Sequence, residues 1–100
     1  MNVTGSIECK SSAVADGVAL LDRENEGWWA NIDLDTLDIN SHRDCVLGQL
    51  YGGYNRGREA LGIEYGCGDI YGFDTYDRGG SVILNELWVE VITARRATAA

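Results

Sequence analysis

The last fifth of the chain constrains the fold more than any other segment. Leu84, Leu87, Trp88 and Val91 recur at i, i+3, i+4 and i+7, and Ile83 and Ile92 widen the stripe they make. This spacing predicts a helix over residues 82–96, with Ser81 as its N-cap and Arg95-Arg96 in a last turn where cations favour the helix dipole. An apolar stripe this broad has to be covered by the rest of the chain, so the last helix is expected to supply the centre of the core, with Leu87 and Trp88 as its anchors. The covering material exists: of 100 residues 45% are hydrophobic and 24% charged, and none is proline, a composition that folds rather than stays disordered.

Upstream, Ser11 and Ser12 precede Val14, Val18 and Leu21 at helical spacing, which predicts a helix reaching about Glu24 with Gly27 as its stop. Trp28, Trp29 and Ile32 then share one short helical turn. Residues 33–39 neither alternate nor keep a 3.6 period, and read as a turn-rich connector with its leucines inward. Ser41 with Asp44 resembles a capping box ahead of Val46, Leu47, Leu50, Tyr51 and Tyr54, a second helix that Gly52-Gly53 ends. Asn55 can cap another short helix through Leu61, with Gly62 as a left-handed stop and Ile63 as its apolar follower. Residues 64–80, rich in glycine, aromatics and acids, favour turns or a short hairpin. The expected fold is mostly α: a small single-domain helical bundle, residues 1–100, of three main helices plus short helical pieces and a Gly/aromatic-rich loop or short hairpin. Residues 1–10 and 97–100 are expected to fray.

Charge narrows the function classes. Eight basic against sixteen acidic residues give a net charge of -8 and a pI near 4.4. Direct nucleic-acid binding and attachment to anionic lipid both depend on Lys/Arg counter-charge that this chain lacks. No basic segment followed by an apolar one opens the chain, and residues 82–94 are interrupted by Asn85, Glu86 and Glu90, short of the roughly 20 apolar residues of a membrane span. Three cysteines without a CxxC pair point to a reduced, cytoplasmic setting. Asn2-Val3-Thr4 matches the N-glycosylation pattern and reads as coincidence.

Each candidate chemistry has a plainer competitor. His42 and Cys45 lie at i and i+3, and Cys9 and Cys67 could complete a Cys3His zinc set, but only one of the usual paired spacings is present. Cysteines acting as small buried hydrophobes explain the same residues, and no metal or other cofactor is expected. Cys45 at a helix N-terminus, beside His42 and Asp44, could act as a nucleophile. A capped helix start accounts for Ser41, His42, Arg43 and Asp44 without catalysis, so no enzyme is expected. Asp33, Asp35 and Asp38 fail the calcium-loop pattern, because Leu37 stands where a ligand should and Asp38 where the glycine should; they read as a solvated connector. Gly66-Cys67-Gly68 lacks the following Lys-Ser/Thr and helix of a phosphate loop.

A protein partner is the remaining expectation. Adjacent residues on a helix diverge by about 100°, so Trp28 and Trp29 cannot both face one core unless each packs on a different neighbour. Residues 22–38 carry Asp22, Glu24, Glu26, Asp33, Asp35 and Asp38 against Arg23 alone. An aromatic anchor of Trp28 or Trp29 with a rim of Asp33, Asp35 and Asp38 is the expected partner surface.

The run of residues 32–39, then Cys45-Val46-Leu47-Gly48-Gln49-Leu50-Tyr51-Gly52, then Gly72-Phe73 and a final Leu87-Trp88 helix ending Ala94-Arg95-Arg96-Ala97, resembles a family of small proteins encoded by actinobacterial phages and their hosts. The likeness covers about residues 28–97, and the string from Cys45 to Gly52 is its most specific part. It implies a cytoplasmic, phage-linked accessory protein and carries no catalytic residues across. Two other roles stay open: an acidic nucleic-acid mimic that blocks a DNA- or RNA-handling protein, and a zinc-structured small domain.

Overall fold

The apolar stripe of the last segment forms a helix, and the rest of the chain is wrapped to cover it. A computed structural model describes residues 3–75 and 79–99. Among them are four α-helices, α1 (Val3–Glu24), α2 (Val46–Tyr51), α3 (Tyr54–Ala60) and α4 (Gly80–Ala99), and two 3-10 turns, Trp28–Asn31 and Gly68–Tyr71. No strand occurs among the described residues. The fold is a small helical domain.

Trp88 of α4 sits at its centre with no exposed surface. Its indole stacks on Phe73 at a centroid distance of 5.3 Å, meets Trp28 edge-on at 5.7 Å, and donates from Nε1 to the Gly72 carbonyl at 2.7 Å. Leu84 and Ile92, one turn to either side, are also fully buried. The long helices α1 and α4 run parallel: Gly17 lies against Trp88, and five residues further along α1, Asp22 pairs with Arg95.

Two glycines permit this approach. A Cβ at Gly17 would collide with the Tyr71 carbonyl and stand 3.1 Å from the Trp88 ring. Gly72 combines a φ of 73°, favoured only by glycine, with a position where a Cβ would stand 2.8 Å from a Val14 methyl. Together they let the second 3-10 turn lie on α1 while its carbonyl meets the Trp88 N–H.

Several local expectations change. α1 starts at Val3, not at Ser11 or Ser12, which are exposed within the helix; Ser ranks midway in helix propensity and does not stop it. Residues 3–10 and 97–99, expected to fray, are helical, while Met1, Asn2 and Ala100 fall outside the described residues. α4 starts at Gly80, so Ser81 is inside it, buried, its hydroxyl accepting from Asn40 Nδ2 at 3.0 Å. Ser41 caps a turn rather than a helix, accepting from the Arg43 and Asp44 N–H groups, and the N-cap of α2 is Cys45. Gly53, not Asn55, precedes α3. Of the loop or short hairpin expected over residues 64–80, the described residues form the loop: Ile70, Gly72 and Phe73 donate their N–H groups to carbonyls within it rather than to a facing strand. Gly27, Gly52 and Gly62 are left-handed stops as expected.

Leu87 is only half-buried and does not share the central role of Trp88. Trp88→Ala is expected to cost about 3–5 kcal/mol, the range for large core truncations, and Leu87→Ala about 1–2 kcal/mol in proportion to its smaller burial. Urea denaturation monitored by circular dichroism measures both.

Candidate functional site

The acidic segment does not form one face. After Glu24 the chain turns and runs antiparallel along α4, held by side chains that reach its backbone. Arg96, near the end of α4, donates to the carbonyls of Trp29 and Ile32. Asn85, near its start, donates to the Leu37 carbonyl at 3.2 Å and accepts from the Ile39 N–H at 3.0 Å. Asn40 reaches Ser81. Arg96 lies eleven positions beyond Asn85, about 16 Å along a helix axis. Residues adjacent in sequence are thereby spread along the length of the molecule.

The expected anchor is lost in this arrangement. Trp28 has no exposed surface, packs on Trp88 and donates from Nε1 to Asp22 Oδ1 at 3.0 Å, so it cannot contact a partner. Trp29 is half-buried at the Arg96 end. Asp22, at the surface, is engaged within the chain, its two oxygens taken by Arg95 at 2.8 and 2.7 Å. The Arg95 hydrogen bonds hold the Asp22 carboxyl below its ordinary pKa; partial burial opposes them and the Trp28 bond assists.

Asp33, Asp35 and Asp38 are exposed as expected. Asp33 and Asp38 also shape the connector, accepting from the N–H groups of Asp35 and Asn40. Asp35 and Asp38 line an open groove of about 530 Å³ between the connector and the first turns of α4. Its other wall includes Val82 and Glu86, which sequence reasoning missed. Their signal was there: they stand at i and i+4, away from the Trp88 stripe, so a helix that buries Trp88 turns both outward together.

The string from Cys45 to Gly52 builds the connector's base. Cys45 Sγ accepts from the Gly48 N–H at 3.2 Å, and a side chain at Gly48 would collide with the His42 and Arg43 carbonyls. Gln49 accepts from the Asp33 N–H and donates to the Asp33 and Asp44 carbonyls. These roles are structural.

The zinc set is not assembled. His42 is exposed, Cys45 is buried at the start of α2, Cys9 is exposed on α1 and Cys67 half-buried in the glycine-rich loop, and no three His, Cys, Asp or Glu among the described residues group as metal ligands. Cys45 does not fit the nucleophile reading either. Burial pushes its thiol pKa up, outweighing the hydrogen bonds from the backbone around the helix start. The glycine-rich loop exposes Tyr65, with Arg58 over its ring at 5.5 Å, and Ile70. No described helix is long and apolar enough to cross a membrane. Comparisons with family models, curated proteins and solved structures give no match to this chain.

Alkylation with iodoacetamide is expected to modify Cys9 in the folded protein and Cys45 only on unfolding. Rapid modification of native Cys45 would contradict its burial. Asp22 stabilises the fold fully above the carboxyl pKa of the unfolded chain, about 4, and this contribution is lost as pH falls through the lower folded value. Asp22→Asn is therefore expected to be less stable than wild type at neutral pH, with the gap in urea midpoint closing in strong acid.

Proposed function

We propose that this chain is a non-enzymatic, cytoplasmic accessory protein, phage-linked, that binds a protein partner through the acidic groove between the connector and α4. The observation that carries the reading is the convergence of Asp35, Asp38 and Glu86 on one open groove, with an exposed valine beside them. Asn85 and Asn40 support it by pinning the connector to α4, so the carboxylates are presented on braced backbone and little ordering remains for the moment of binding. The phage link is supported by the resemblance of the string from Cys45 to Gly52 and of the Leu87-Trp88 helix to small proteins of actinobacterial phages and their hosts.

Affinity capture from an actinobacterial lysate tests the reading with three proteins: wild type, Trp29→Ala, and a triple variant Asp35→Asn, Asp38→Asn, Glu86→Gln. A partner retained by wild type and Trp29→Ala is expected to be lost from the triple variant, with association slowed by about tenfold or more when the charges are removed. Equal recovery on all three folded proteins would place the contact elsewhere, with the Tyr65 and Ile70 loop the next surface to vary.

A further inference from the structure

The outward face of α4's first two turns is exposed. Val82 is 60% exposed, on the side of the helix opposite the core stripe, and Glu86 stands one turn further on the same side. Across the groove stand Asp35 and Asp38, and no Lys, Arg or His is among the described residues that line it. Two further hollows of about 220 Å³ each lie next to it: one shares Asn40 with the groove and is also lined by Tyr54, which donates to Asp74 at 3.3 Å, and the other shares Asp74 with that hollow and is also lined by Asp69. Each hollow has a carboxylate in its lining: Asp35, Asp38 and Glu86 in the groove, Asp74 in the second, and Asp74 with Asp69 in the third. Among the described residues, the basic side chains lining these hollows are His42 in the second and Lys10 in the third.

We propose that this face docks an extended Lys/Arg-bearing segment of a protein partner, with an aliphatic side chain of that segment seated on Val82. The proposal rests on the binding role argued above and adds the chemistry of what is bound. Charge complementarity selects the occupant. A nucleic acid would be repelled, and a second copy of a chain carrying a charge of -8 would be too. A folded knob would use one hollow, whereas a linear cationic segment can follow all three. Val82 supplies what charge alone cannot, a fixed apolar contact that sets where along the segment the groove binds.

The test uses a fluorescein-labelled synthetic peptide of about ten residues, alternating Arg and Ser around one Leu, long enough when extended to span about 30 Å. Fluorescence anisotropy is read against wild type, the groove triple variant (Asp35→Asn, Asp38→Asn, Glu86→Gln), and a control triple (Glu24→Gln, Glu59→Gln, Glu64→Gln) that removes equal charge elsewhere. Circular dichroism confirms that each is folded. Binding that weakens by about tenfold or more in the groove triple and survives in the control triple is expected, with strong loss on raising salt as screening shortens. Val82→Ser is expected to cost about threefold with this peptide and nothing when its Leu is replaced by Ser. Equal weakening by both triples, or no binding by wild type at low salt, would overturn the proposal. If the lysate partner still depends on the groove while the peptide does not bind, the binding role stands and the cationic segment is wrong. If the partner ignores the groove triple, the binding reading itself has failed.

Discussion

The stacking of Trp88 on Phe73, closed edge-on by Trp28, is the contact from which the other structural requirements follow. An indole without exposed surface needs a partner for its N–H, and the Gly72 carbonyl is that partner. To bring that carbonyl within 2.7 Å, the second 3-10 turn has to lie on α1, and it can do so only because Gly17 and Gly72 present no side chains there. Three separated parts of the chain, residues 14–17, 72–73 and 88, are thus committed to one point. Trp28 adds a fourth, and its own N–H leads outward to Asp22 and from there to Arg95, which ties the ends of α1 and α4 together.

The connector is secured differently. It has no regular structure to satisfy its backbone, and the residues that would otherwise compete for water are paired by long polar side chains from elsewhere: Gln49 at its start, Asn85 in its middle, Arg96 before it. Every buried side-chain nitrogen or oxygen among the described residues has a hydrogen-bond partner. The most distinctive string in the chain therefore reads as architecture. Cys45 caps, Gly48 allows close approach, Gln49 clamps, and the consequence appears at a distance, where the connector presents Asp35 and Asp38 to α4.

Charge is divided between these two tasks. Asp22 is drawn into an ion pair with Arg95 and a bond from Trp28, and serves cohesion. Asp35, Asp38 and Glu86 have no such neighbour among the described residues lining their groove and are exposed. Under the proposed binding role the second group serves recognition, since unneutralised carboxylates in proximity raise the energy of the isolated protein and are relieved by a cationic partner.

Helix existence and the glycine stops were legible in the sequence, because both are local: a 3.6-residue period sets which side chains share a face, and a left-handed turn demands glycine wherever it occurs. Of the expected stripe Leu84 and Trp88 are buried while Leu87 and Val91 are half-buried, Ile92, which only widened it, is buried, and Gly27, Gly52 and Gly62 have positive φ. Helix starts were less legible. A serine before an apolar run looks the same whether it caps a helix, as was expected of Ser81, or lies within one and bonds across the molecule to Asn40. The site was legible in part. Asp33, Asp35 and Asp38 are exposed as their spacing implied, but their grouping with Trp28 followed from adjacency in sequence, which the fold does not preserve. Bonds from Asn85 and Arg96 cross 46 to 67 positions of sequence to lay the connector along α4. They bury Trp28, carry Trp29 to one end of the helix and bring Asp35 and Asp38 to Val82 and Glu86 at the other. No local pattern encodes that path, because it is set by where distant amides and guanidinium groups find backbone partners once Trp88 has fixed the core.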